Sequence, residues 1–134
     1  MAETAREYLI HRFRGDAQSL RDRVAALQGG AKIPGPDAGT SRRMADACDD
    51  VATMIDAVAP QDDPQAEISA IVALVPLLEQ RAKANEATPP VRAVYSGAAT
   101  RIREVHAAEV RGPQTGTDDA GAFGDDDDDE ESEA

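Results

Sequence analysis

Apolar residues recur with helical periodicity from the start of the chain. Leu9, Phe13, Leu20, Val24 and Leu27 follow one another at spacings of 4, 7, 4 and 3, with Ala17 in the gap, so they share one face of a helix over 3–28. Gly29 and Gly30 end it, and the following "GGAKIPGPDAG" carries too much glycine and proline to be anything but a loop. Thr40 or Ser41 then offers a cap for a second helix, whose Met44, Cys48, Val51, Ile55 and Val58 repeat at 4, 3, 4 and 3. Arg42, Asp46, Asp49, Asp50 and Asp56 occupy its other face.

Asp63 and Pro64 open a third helix over 64–84, as a cap and a first-turn proline. Ile68, Ile71, Val72, Leu74, Val75, Leu77 and Leu78 cover more than half its circumference, which predicts the most buried element of the chain. Pro76 lies inside that run, where it removes a backbone hydrogen bond, and predicts a kink. Thr88 and Pro89 open the fourth helix, striped by Val91, Val94, Tyr95, Ala98, Ile102 and Val105 and closed by Gly112-Pro113. Gly97 and Ala98 are small enough for a neighbouring helix to approach. Four amphipathic helices joined by short loops predict an all-α fold, an antiparallel four-helix bundle over 1–112.

Composition supports that reading. Aromatic residues are 3% of the chain and Trp is absent, so the core is built from Ala, Val, Leu, Ile and Met, as suits packed helices better than sheets. The formal charge of −12 is unevenly placed: residues 113–134 hold ten acids and no base, leaving −2 for residues 1–112. That segment, with Phe123 immediately before its acidic run, is expected to be a disordered acidic tail, because it has too little apolar surface to offset its ordering entropy. It either keeps the protein soluble or engages a basic partner. Arg outnumbers Lys twelve to two, which together with the acid points weakly toward a salt-adapted source. No stretch is long and apolar enough to cross a membrane, and the charged N-terminus does not read as a signal peptide, so the cytoplasm is the expected location. The lone Cys48 is expected to be a small core residue.

Candidate chemistry is sparse. His11 lies opposite the first helix's stripe, on a face shared with Glu7, Arg14, Gly15, Gln18 and Asp22, and is expected to be exposed. The sequence His11, Phe13, Arg14, Gly15 resembles the motif of histidine-containing phosphotransfer (Hpt) domains, which are four-helix bundles with an exposed histidine. The resemblance implies His11 as phosphoacceptor, Arg14 as the base that helps hold the phosphoryl group, and Gly15 as the opening for a response regulator. It covers five residues, and Arg14 stands where those domains usually have Lys. The helix runs on through Leu20-Arg21 where they break, and only ten residues precede His11.

Glu3, Glu7 and His11 are spaced at i, i+4 and i+8, and Glu109 follows His106 by three, but the E-x-x-H pairs of a di-metal bundle are absent and no metal is expected. Nor is a cofactor: phosphate-cradling glycine loops and nucleophile elbows are missing. Arg12, Arg14, Arg21 and Arg23 cluster on the first helix, yet Asp16 and Asp22 interleave with them, which argues against direct nucleic-acid binding. The expectation that remains is a small non-enzymatic protein acting through protein contacts, an adaptor or regulatory subunit. Tyr8 and Ile10, off the main stripe and expected to be exposed, are with Phe123 its candidate contact residues for a partner or a second copy.

Overall fold

The computed structural model describes residues 3–111. The acidic tail expected over 113–134, Phe123 included, lies outside the described residues. Among the described residues the fold is all-α: α1 (Ala5–Gln28), α2 (Ala38–Asp56), α3 (Pro64–Val72), α4 (Val75–Ala84) and α5 (Pro89–Arg111), with α3 and α4 forming the two halves of the third predicted helix. No helix is long and apolar enough to cross a membrane.

α1, α2, α3 and α5 begin where a side chain or backbone group takes up their first free N–H groups. Thr4 caps α1 in a reciprocal capping box: its side chain accepts from the Glu7 N–H while the Glu7 carboxylate accepts from the Thr4 N–H. The cap of α2 is Asp37, three positions before the expected Thr40, and its carboxylate accepts from the Thr40 N–H at 2.7 Å. Ser41 is instead fully buried, its hydroxyl 3.4 Å from the Pro36 carbonyl. Asp63 caps α3 with Pro64 in the first turn, and α5 opens with the Val91 and Arg92 N–H groups on the Thr88 carbonyl.

The expected kink is a break. Pro76 has no N–H to give to the Val72 carbonyl, so α3 stops at Val72 and α4 restarts at Val75, with Pro76 in its first turn.

Contacts between side chains fix the helix directions. Arg6 at the start of α1 meets Asp56 at the end of α2, and Arg21 near the end of α1 meets Asp46 in α2, so α1 and α2 are antiparallel. Gln65 at the start of α3 reaches the Glu109 carbonyl at the end of α5, so those two are antiparallel as well. α1 packs along α2, α4 and α3 pack on α5, and α2 and α5 meet across the centre, whereas α1 and α5 barely touch.

The core runs through Leu9, Phe13, Val51, Ile55, Ile68, Ile71, Leu78, Tyr95 and Ile102. The third predicted helix is not the most buried element. That place belongs to α2, which buries Ser41, Ala45, Ala47, Cys48, Val51, Ala52 and Ile55 because it is held between α1 and α5. Leu77, expected in the apolar arc, is 40% exposed, since the restart at Val75 turns it outward.

Candidate functional site

The arginines of α1 are engaged within the bundle. Arg21 pairs with Asp49 at 2.6 Å and Asp46 at 3.2 Å, Arg14 lies 3.5 Å from Asp49, and Arg12 lies 3.6 Å from Asp16 one turn on. Arg23 turns into the connection between α1 and α2, donating to the carbonyls of Pro34 at 2.8 Å, Pro36 at 2.8 Å and Ile33 at 3.3 Å. The arginine cluster of α1 is therefore an acid–base seam and a loop clamp.

His11 is exposed, 71% of its side chain open to solvent, and its Nδ1 meets the Glu3 carboxylate. The space beside Gly15 is open, with nothing within 4 Å of where a Cβ would stand. Arg14, the third member of the motif, turns to Asp49 on α2. Glu7 is occupied by the α1 cap, whose hydrogen bonds from Thr4 lower its pKa. Among the described residues no group of three His, Cys, Asp or Glu side chains gathers as a metal site would require.

Tyr8 and Ile10 are half-buried and pack against the core, because α1 is covered by α3 as well as α2 and its apolar arc is wider than its main stripe. Tyr8 nonetheless reaches a surface feature. Between the start of α1 and the end of α5 lies a cleft of about 520 Å³ with Ala5, Tyr8, Val105 and Ala108 along it and Glu3 and Glu109 at its edge. A second depression of about 380 Å³ adjoins it, sharing Glu3 and Glu109 and adding Asp62 and Glu67. The caps place these acids: Glu3 and Asp62 sit just before the N-termini of α1 and α3, and Glu67 in the first turn of α3, where negative charge is favoured.

Arg6 is the shielded cation at this end, donating to the Asp56 carbonyl at 2.7 Å and lying 3.6 Å from Glu67, with only 14% of its side chain exposed. Val110, 55% exposed, extends the apolar surface on α5. The sequence pattern missed this cleft because Ala5, Ala108 and Glu109 belong to neither stripe. The signal it held was a set of acids at the beginnings of two helices and the end of a third.

Set against known proteins, the chain matches no family model, no curated protein and no solved structure.

Proposed function

We propose that the chain is a non-enzymatic helical protein of the cytoplasm that works through contact with a basic protein partner, as an adaptor or regulatory subunit. The observation that carries this reading is the end of the bundle where α1 and α3 begin and α5 finishes. An apolar cleft containing Tyr8 lies there beside Glu3, Asp62, Glu67 and Glu109, four acids against Arg6, which lies 3.6 Å from Glu67, and Arg111 in the last turn of α5. An apolar floor edged by one sign of charge suits a partner segment with apolar anchors and lysines or arginines around them.

The test is affinity capture with the full chain and with a full-chain variant carrying Glu3→Lys and Ala108→Lys. Proteins retained by the native chain and lost by the variant support the reading, and an unchanged set at low and at physiological salt rules it out. A second copy of the chain in the cleft would appear as a homodimer in sedimentation that the same variant disperses.

A second reading, a phosphotransfer module using His11, is favoured by one observation: the ring is exposed and held through Nδ1 by the Glu3 carboxylate. Incubation with phosphodonors should then place acid-labile phosphate on the native chain and none on His11→Gln. Absence of label on the native chain removes this reading and leaves the first intact.

A further inference from the structure

α1 and α5 face each other across a groove instead of packing together. It has a volume of about 230 Å³ and a floor of Phe13, Cys48, Val94 and Ala98, with Arg12 and Arg101 along its rim. Gly97 lines it too, exposed in mid-helix, and a Cβ built there meets nothing within 4 Å. α1 does not approach Gly97 closely, so packing within the bundle gives no reason for a residue that weakens the helix. Its effect is to keep the groove open. Among the described residues Arg101 makes no ion pair, and Arg12 has only the 3.6 Å contact with Asp16, itself part of the lining.

An apolar floor between two arginines calls for an occupant with one apolar anchor and acids next to it. The chain contains such a segment. Phe123 is the sole aromatic after Arg111, and Asp125–Asp129 follow it after a single glycine. The reach is sufficient: along α5 the groove at Gly97 lies roughly 21 Å back from Arg111. The twelve residues from Arg111 to Phe123 can span up to about 40 Å when extended.

We infer that the α1–α5 groove is the seat of the chain's own segment around Phe123, with the aromatic ring on the apolar floor and the following aspartates against Arg12 and Arg101. The inference goes beyond the protein-contact reading, which uses the opposite edge of α1 and the end of α5, and it survives if no partner is found for that cleft.

The chain has no Trp, so Phe123→Trp in the full chain introduces a single fluorophore. Its emission in the native state is expected to lie to the blue of the same chain in urea, and to do so equally at all protein concentrations. Gly97→Leu adds bulk to the groove from a position whose Cβ meets nothing within 4 Å, and it favours the helix, so helical circular dichroism is retained while the emission moves to the red. Emission already at the unfolded position in the native state, or unmoved by Gly97→Leu, overturns the inference. A blue shift that grows with protein concentration overturns it too, in favour of a second copy's tail.

Discussion

Asp50 accepts two hydrogen bonds at once, from Tyr95 Oη at 2.8 Å and from Arg81 Nη1 at 2.8 Å, so one carboxylate joins α2, α4 and α5. Holding the guanidinium there leaves Arg81 Nε buried with no hydrogen-bond partner among the described residues. Tyr95→Phe keeps the ring and the Asp50–Arg81 pair, and is expected to cost about 1 kcal/mol in urea unfolding. Asp50→Ala strands both donors and is expected to cost more, about 2 kcal/mol. Burial first, and then the Asp50 hydrogen bond, push the Tyr95 hydroxyl up from about 10 to about 12. Burial likewise pushes the Cys48 thiol up from about 9 to about 11.

Both groups are neutral in the folded chain and ionise more readily when it unfolds. Their contribution is therefore complete below about pH 9 and is lost as pH rises toward 12. Unfolding titrations should show stability falling along this alkaline limb, and Tyr95→Phe should flatten the part above pH 10. An unchanged slope in that variant would contradict the assignment. The sequence displayed Tyr95 as one member of an apolar stripe and Asp50 as one polar position among several. The two residues lie 45 positions apart in the chain, and their meeting depends on how their helices are rotated, which periodicity does not specify.

At the scale of elements, the connection between α1 and α2 is more than a spacer. Pro34 and Pro36 have no N–H groups, so the turn cannot knit itself together through them, and Arg23 supplies donors to its carbonyls instead. Gly35 sits at φ +110°, and a Cβ there would stand 3.2 Å from Arg23 Nη2. The same substitution thus has opposite signs at two glycines. Gly35→Ala should destabilise by about 1 kcal/mol or more, while Gly15→Ala, in a helix with open space around it, should stabilise by about 0.5–1 kcal/mol. Thermal unfolding of the two variants measures both, and equal shifts would refute the distinction.

This element also marks the boundary of what sequence reading could resolve. Asp37 falls inside "GGAKIPGPDAG", whose glycines and prolines read as loop throughout, although Asp37-Ala-Gly-Thr40 is a workable N-cap. Pro76 did signal the interruption of the third helix. The break falls at Ala73 and Leu74, before the proline, because the lost hydrogen bond belongs to Val72.

For the whole molecule, four apolar stripes were enough to indicate a helical bundle, because each stripe must be buried against another. They could not say that α2 and α5 meet across the centre and leave α1 and α5 apart, since stripes of similar composition fit one another in several arrangements. Both the Tyr8 cleft and the Gly97 groove follow from that choice, which is why neither could be read from the chain.

The choice also gathers Glu3, Asp56, Asp62, Glu67 and Glu109 at one end of the bundle, with Arg6 inserted among them and mostly shielded from water. Arg6 joins α1 to α2 and α3 and offsets the repulsion among these acids. Arg6→Met keeps much of the buried stem and removes the charge, so its cost should be chiefly electrostatic, about 2 kcal/mol. Repulsion among acids is screened over about 10 Å at 0.1 M salt and about 30 Å at 0.01 M. Urea unfolding of Arg6→Met should therefore show stability rising with salt more steeply than in the native chain. Parallel salt dependences in the two proteins would mean that Arg6 serves by packing alone, and that the acidic end is less electronegative than its residues imply.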